Sequence, residues 1–262
     1  MIHFKLFFAL IFVFVSCESA EIQDVDFIGK NGQNYQAANA KTSKSFVDGV
    51  SEKTPNFQSF KSEFSMVIQT YVPKRETFHM DGKLFFDKDS KNVKIQLMDS
   101  FFGLIFSELI AGPNQIQLKP SGEKIPQIFP MGDLAIKDPN SKKTIVIPFP
   151  VIYQYITGAY IEEIKNPKAK FLISESRVSL DKLDGSYEYF FKENILERLE
   201  LSSKQKGLKA IALVKNKTPD THPPKEVITK VISLDTEKEN VIIQIKMKKV
   251  NLTEVSPSTF RF

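Results

Sequence analysis

The sequence has few of the residues that build metal, redox or disulfide chemistry. Its 262 residues include one cysteine, three histidines and no tryptophan. A single cysteine cannot form an intramolecular disulfide. His79 and His222 lie far apart, and neither has a second histidine or cysteine at the spacing of a zinc site. The sequence therefore predicts no disulfide framework, no metal site and no cofactor.

Several common enzyme motifs are also missing. There is no G-x-S-x-G motif, no S-x-x-K paired with K-T-G, and no Walker-type or dinucleotide-binding glycine pattern. Carboxylates are plentiful, but most lie in turns or on polar faces, which is typical of solvated surface. Asp99 and Glu108 are candidates to flank a site, although a surface role is favoured. We expect no enzymatic activity, with an exported hydrolase as the remaining alternative.

The one long apolar run lies at the start of the chain. Residues 6–15 are all apolar, and Lys5 precedes them. Ten residues of helix rise only about 15 Å, half of the roughly 30 Å bilayer core. A short basic start, an apolar middle and a small residue at the cleavage point are typical of a secretory signal peptide. We therefore predict a signal peptide over residues 1–16.

The only cysteine follows this run directly. Residues 14–17 (FVSC) resemble a bacterial lipobox, although Phe14 stands where leucine is commoner. The resemblance implies that the mature protein begins at Cys17 and is attached to a membrane by acyl chains such as palmitate. One acyl chain binds a membrane marginally, whereas two or more bind it stably. The alternative is an uncleaved anchor or a plain signal peptide, with Cys17 incidental.

The remaining chain divides into a polar segment and a folded domain. Loss of Lys5 with the signal lowers the formal charge from +5 to +4. This small surplus is spread along the chain, so nucleic-acid binding is not predicted. Residues 17–51 are mostly polar, which predicts a lipidated N-terminus and flexible tether, ending in a short helix over residues 42–50. We assign residues 52–262 to one folded domain.

The folded domain has the pattern of an antiparallel sheet. Val93, Ile95 and Leu97 alternate with polar neighbours, and residues 187–191 and 241–247 repeat this period of two. Turn residues separate the strands at intervals of about ten residues. Residues 149–163 instead have the spacing of one helix laid across the sheet. The predicted fold class is mainly β (α+β), with an antiparallel sheet and covering helices.

Three segments, in chain order, resemble the LolA and LolB family of periplasmic lipoprotein carriers and receptors. Residues 80–97 are similar to the opening strand, turn and strand of the family's sheet. Residues 97–119 are similar to the receptor's protruding loop, in which an exposed apolar residue precedes a glycine. Residues 147–158 resemble the receptor's proline-led helix, with Tyr155 where tryptophan is usual. The closest resemblance is to the membrane-anchored LolB type.

This resemblance implies an open, curved antiparallel half-barrel with helices across its mouth. It also implies an apolar cavity that holds the acyl chains of lipoproteins. The alternative is ordinary core packing, because any half-buried sheet needs an apolar face. The predicted cavity-lining residues are Phe64, Val93, Ile95, Leu97, Leu109, Ile116, Leu118, Ile152 and Tyr155.

The connection at residues 100–105 is unusually apolar for a loop. Phe101, Phe102 and Leu104 crowd around Gly103, where polar residues are expected. By resemblance, Phe102 occupies the receptor's apolar tip and contacts the bilayer during delivery, which would account for exposed apolar side chains. The alternative is a longer strand with a β-bulge at Gly103.

Together these features predict a monomeric lipoprotein on the periplasmic side of the outer membrane. It would bind acylated lipoproteins or a related lipid, receive them from a periplasmic carrier protein and assist their delivery. Glu18 is not the aspartate associated with inner-membrane retention, although the inner membrane and the cell surface stay open. The alternative is a structural or partner-binding lipoprotein of the same fold without a transported ligand.

Overall fold

The computed structural model describes residues 36–53, 58–71, 75–99, 102–137, 144–215 and 223–262. The predicted signal peptide, Cys17, Phe101 and His222 lie outside the described residues. The strands are β1 (Gln36–Ala37), β2 (Phe60–Thr70), β3 (Glu76–Asp87), β4 (Asn92–Met98), β5 (Ile105–Ala111), β6 (Gln115–Pro120), β7 (Gln127–Pro130), β8 (Leu134–Lys137), β9 (Thr144–Ile147), β10 (Lys170–Leu172), β11 (Arg177–Lys182), β12 (Gly185–Lys192), β13 (Ile195–Ser203), β14 (Leu208–Lys215), β15 (Glu226–Ser233) and β16 (Glu239–Leu252). The helices are α1 (Lys41–Lys53), α2 (Phe149–Thr157) and α3 (Tyr160–Ile164), with 3-10 turns at Ile173–Glu175 and Pro257–Phe260.

Fourteen of the described strands form one antiparallel sheet. Its order is β1-β10-β11-β12-β13-β14-β15-β16-β2-β3-β4-β5-β6-β7, and β8 and β9 form a separate hairpin. β16 joins the two halves of the chain by pairing with β2, from Val241–Thr70 to Leu252–Phe60. A sheet of this size twists and curls instead of staying flat. The predicted fold class, an open curved antiparallel sheet with a few helices, is confirmed.

One edge of the sheet is protected against further strand pairing. The Met131 N–H donates to the Asn114 carbonyl, next to the paired ends of β6 and β7. The alternation of an antiparallel ladder then directs the Ile128 N–H outward, together with the nitrogens of Pro126 and Pro130. Because proline has no N–H, the outer edge of β7 offers a single backbone donor. This geometry disfavours the addition of another strand.

Two apolar clusters lie on the face of the sheet that carries the helices, which we call the inner face. The first cluster lies mainly on β10 to β14 and includes Phe46 of α1. The second lies mainly on β2 to β6 and β16. α2 contributes Val151 and Tyr155 to the first cluster, and Ile152 and Ile156 to the second. All nine α2 residues are buried, which explains why most of them are apolar.

The structure divides the predicted helix over residues 149–163 into two. Pro150 lies in the first turn of α2, where proline is tolerated because the missing N–H would have no partner there. Gly158 adopts a left-handed conformation with φ of 70° and ends α2. α3 then begins at Tyr160. The prediction of a single helix was wrong because it ignored this glycine stop.

α1 belongs to the folded domain. It spans Lys41–Lys53, so it covers the helix predicted over residues 42–50, and its Phe46 and Val50 pack into the first apolar cluster. The folded part therefore begins before residue 52, within the segment that the sequence assigned to the tether. None of the helices in the described ranges has the length and apolar content needed to cross a membrane.

Candidate functional site

The inner face of β3 changes from buried to exposed along its length. Phe86 and Leu84, near the β3–β4 turn, are 1% and 2% exposed. Met80 is half-buried, and Phe78, near the start of the strand, is 42% exposed. These four side chains share one face because they are separated by even numbers of residues. The side chains that pack over this face therefore cover only the part of β3 near the β3–β4 turn.

The neighbouring strands show the same gradient. Val93 of β4 is fully buried, whereas Ile95 and Leu97 further along are half-buried. On β6, Ile116 is fully buried and Leu118 is half-buried. Strand pairing places Ile95 and Leu118 in one row across the sheet, on either side of Leu109, and places Leu97 opposite Gly82 of β3. We call this accessible set the open apolar face: Phe78, Met80, Ile95, Leu97 and Leu118.

Tyrosine hydrogen bonds hold α2 over the buried end of the inner face. The Tyr153 hydroxyl donates to the Lys91 carbonyl in the β3–β4 turn at 2.7 Å. The Tyr155 hydroxyl donates to the Ala212 carbonyl of β14 at 2.8 Å. Burial raises the pKa of Tyr153 to about 12 and that of Tyr155 well above its usual value, so both stay protonated donors at neutral pH. α2 is thus fixed to both halves of the sheet.

The structure brings eight of the nine predicted lining residues together. Five are buried in the second apolar cluster, where they pack against other side chains: Phe64, Val93, Leu109, Ile116 and Ile152. Three are half-buried at the edge of that cluster and belong to the open apolar face: Ile95, Leu97 and Leu118.

Tyr155 lies apart from the other predicted lining residues. It packs in the first cluster together with Val151, four residues earlier on the same side of α2. Ile152 and Ile156 form a second pair, about 100° further round the helix axis, and face the second cluster. Tyr155 and Ile152 therefore pack in different clusters, although both were predicted to line one cavity.

In the β4–β5 connection, the described apolar side chains Phe102 and Leu104 are exposed. The Phe102 N–H donates to the Asp99 carboxylate at 2.8 Å, and the Gly103 N–H donates to the Asp99 carbonyl at 2.9 Å. Gly103 has a φ of 67°, which glycine adopts without strain. Phe102 is 82% exposed and Leu104 is 67% exposed. The register shift in this hairpin lies between Leu97 and Met98, so the bulge is not at Gly103.

Further exposed apolar residues adjoin this turn. Ile105 and Phe106 at the start of β5 are exposed, and so is Ile125 in the β6–β7 connection. The Ser121 N–H donates to the Phe106 carbonyl at 2.9 Å, which joins the two connections. Exposed apolar patches of this kind mark contacts with membranes or partners. We call the set Phe102, Leu104, Ile105, Phe106 and Ile125 the apolar rim; it meets the open apolar face where β4 passes into β5.

Three methionines that were not predicted as site residues lie on or near the open apolar face. Met66 pairs directly with Met80 across β2 and β3, and Met247 pairs with Phe64 across β16 and β2. Met66, Met80 and Met247 are partly buried at the edge of the second cluster. Methionine side chains adapt their shape readily and contribute to permissive binding surfaces. The signal was present, because Met66 continues the period-two pattern of Phe64.

The carboxylates considered as site residues have structural contacts. Glu108 accepts a hydrogen bond from Gln96 at 2.6 Å and pairs with Lys94 at 3.3 Å. Burial opposes ionisation of Glu108, but these contacts hold its pKa below its usual value. Asp99 closes the β4–β5 turn. In the part of the chain that the structure describes, no group of three or more metal-ligating side chains is found.

No protein-family profile matches the sequence, and no curated protein sequence matches it significantly. Among solved structures, the fold is similar to that of a LolA superfamily protein from Nitrosomonas europaea. The TM-score is 0.51 and the identity is 9%, over 85% of this chain and 99% of that chain. This likeness shows a LolA-like fold.

Two further solved structures are similar to smaller degrees. A DUF1329 family protein from Desulfovibrio piger gives a TM-score of 0.41 at 11% identity, over 85% of this chain and 98% of that chain. A domain assigned to outer membrane lipoprotein sorting, from Vibrio parahaemolyticus, gives a TM-score of 0.38 at 9% identity, over 84% of this chain and 97% of that chain.

Proposed function

We propose that this protein binds the acyl chains of lipoproteins, or of a related lipid, and assists their delivery to the outer membrane. The observation that carries the proposal is the burial gradient of β3 to β6, which leaves an apolar inner surface accessible beside the apolar rim. Transfer of a twelve-carbon chain at about 0.8 kcal/mol per methylene would contribute roughly 10 kcal/mol before ordering costs. Binding of this kind needs an apolar surface and no catalytic residue.

The acyl chain would lie on the open apolar face, beside Leu97 and Leu118, and not beneath α2. The space under α2 is occupied by the second apolar cluster, and Tyr153 and Tyr155 fix the helix on both sides. A chain on the open face would reach the apolar rim directly. Contact of Phe102 with a bilayer would then place the bound chain next to its destination.

The anchor and the setting are part of the same proposal. Acylation of Cys17 would hold the protein on the periplasmic side of the outer membrane, as a LolB-type receptor is held. The protein would act as a monomer and accept its ligand from a periplasmic carrier. The exposed apolar rim supports a role at a membrane, because such a patch is unfavourable in water.

A structural or partner-binding role without a transported ligand is the second candidate. It is favoured by the dense packing of both apolar clusters around α2, since all nine residues of this helix are buried. In this case the open apolar face would bind a partner protein permanently.

Native mass spectrometry of the full chain, extracted from its membrane, would separate the two candidates. Co-purification of an acyl lipid or an acylated lipoprotein, released by organic solvent, is the result that the carrier function requires. A protein that carries no lipid after gentle extraction, and binds none added back, would support the structural role.

A further inference from the structure

A separate cavity of about 330 Å³ opens beside α2, on the side that faces the β11–β12 hairpin. Tyr153 and Gln154 of α2, and Asp184 and Tyr187 of the hairpin, form parts of its wall. Tyr153 belongs to the second apolar cluster and Tyr187 to the first, so the cavity lies between them. Its volume is in the range of small-ligand sites. We call it the polar cleft.

Gln154 supplies a hydrogen-bond donor to this cleft. It is 4% exposed and is the only residue of α2 with a side-chain amide. The Tyr189 hydroxyl donates to its Oε1 atom at 3.0 Å, which leaves the amide N–H groups available. Within the described ranges, no hydrogen bond satisfies its Nε2 atom. Because Gln154 lines the cleft, a ligand oxygen there can accept from this amide.

Carboxylates give another part of the cleft a negative character. The Asp184 carboxylate accepts a hydrogen bond from the Tyr187 hydroxyl at 2.5 Å, and Glu162 of α3 lies nearby on the cleft wall. Glu163 is neutralised by Lys182 at 2.5 Å. Neither Asp184 nor Glu162 forms an ion pair with another described residue. Burial, the Asp184 hydrogen bond and the charges of Asp133 and Glu163 all raise the pKa of Tyr187.

A positive charge also lines the cleft. Lys91 lies in the β3–β4 turn, and its carbonyl already accepts the Tyr153 hydroxyl bond that positions α2. The β3–β4 turn and α2 thus give the cleft a lysine and an amide donor. α3 and the β11–β12 hairpin give it two carboxylates that form no ion pair with a described residue. Such a wall suits a ligand that carries an anion and a cation within one small group.

We propose that the polar cleft binds a zwitterionic lipid headgroup, a phosphodiester that carries a primary amine. The phosphate oxygens would accept from Gln154 and Lys91, and the amine would donate to Asp184 and Glu162. Met131 lines the cleft and also packs against the second apolar cluster, so the cleft lies at the covered end of the inner face. The inference rests on the proposed function, because that function brings lipids to the protein.

The headgroup can be tested without its chains. Glycerophosphoethanolamine, which is soluble and has no acyl groups, should bind to the full-length protein in saturation-transfer NMR. Asp184→Asn should weaken this binding about tenfold, and Gln154→Leu should also weaken it. Asp235→Asn removes a carboxylate from the exposed β15–β16 turn, outside the cleft, and should change nothing. Circular dichroism melting of each variant would verify that it is folded.

The comparison ligands decide what the cleft recognises. Glycerophosphoglycerol lacks the amine and ethanolamine lacks the phosphate, so both should bind more weakly than glycerophosphoethanolamine. The headgroup site would be overturned if glycerophosphoglycerol or ethanolamine bound as strongly as glycerophosphoethanolamine. It would also be overturned if Asp184→Asn did not weaken the binding. A fluorescent fatty acid, added separately, reports on the open apolar face. Fatty-acid binding without headgroup preference would overturn this inference alone, and headgroup binding without fatty-acid binding would overturn the proposed function.

Discussion

The Tyr155 hydroxyl donates a hydrogen bond of 2.8 Å to the carbonyl of Ala212, and both residues are buried in the first apolar cluster. Tyr155 lies on α2 and Ala212 on β14, so this bond joins the helix to one half of the sheet. The Tyr153 bond to the Lys91 carbonyl joins the same helix to the other half. α2 therefore acts as a cross-piece that is hydrogen-bonded to both halves of the sheet.

Tyr155→Phe should destabilise the protein without changing its fold. The substitution removes the buried hydrogen bond from the tyrosine hydroxyl to the Ala212 carbonyl, which costs about 0.5–1.5 kcal/mol in unfolding free energy. Urea denaturation followed by circular dichroism would measure the change. Tyr71→Phe is the control, because Tyr71 is only half-buried and bonds to Gln69 two residues away. Equal stability of the two variants would contradict the cross-piece role of Tyr155.

Leu97→Glu should abolish most acyl-chain binding. Leu97 is half-buried on the open apolar face, so a carboxylate there would have to be desolvated beneath a bound chain. We expect the dissociation constant of a fluorescent fatty acid to rise about tenfold or more. Leu252→Glu, at the far end of β16 where leucine is 58% exposed, is the matched control. If both variants bind as the wild type does, the ligand does not use this face.

Phe102→Glu should separate binding from transfer. Phe102 is 82% exposed and makes its turn contact through its backbone N–H, so folding and ligand binding should be retained. A charge at this position opposes insertion into a bilayer, and transfer of bound lipid to liposomes should slow strongly. Leu183→Glu, in the β11–β12 turn where leucine is 99% exposed, should transfer normally. An unchanged rate for Phe102→Glu would remove the turn from the mechanism.

Cys17→Ser should release the protein from membranes. If Cys17 carries the acyl chains, the serine variant cannot be acylated, and no helix in the described ranges replaces the anchor. Fractionation should move the protein out of the membrane pellet, and metabolic labelling with an acyl analogue should fail. Continued normal fractionation of the variant with membranes would count against acylation and favour an uncleaved apolar segment.

The strands and the helix position could be predicted from the sequence because their signals are local. Val93, Ile95 and Leu97 alternate with polar residues, and that period alone places them on one face of β4. A proline near its start marks α2 in the same way, whereas the end of α2 at Gly158 was not predicted, although its signal is also local. These features depend on neighbours within a few residues.

Local sequence signals could not predict which part of the inner face is covered and which part is open. Whether Val93 or Leu97 is covered depends on where α2 lies across the sheet, and hydrogen bonds to Lys91 and Ala212 decide that position. The pairing of β16 with β2 joins residues far apart in the chain, and no local pattern encodes it. The same limitation explains why Tyr155 was predicted to line one cavity with Ile152, although the two pack in different clusters.

Gly82 gives a test of how tightly the inner face is packed. A Cβ atom built at Gly82 would lie 2.3 Å from Cζ of Phe64 and 2.8 Å from the backbone oxygen of Gln96. Phe64 is 2% exposed, so its ring has little space to move away. Gly82→Ala should therefore destabilise the protein by about 1–3 kcal/mol. The matched control is Gly132→Ala, where the nearest atom to the new Cβ is 3.8 Å away and little change is expected. Thermal denaturation of both variants measures the difference. Equal melting temperatures would mean that Phe64 and the neighbouring backbone move to make space for the new Cβ atom.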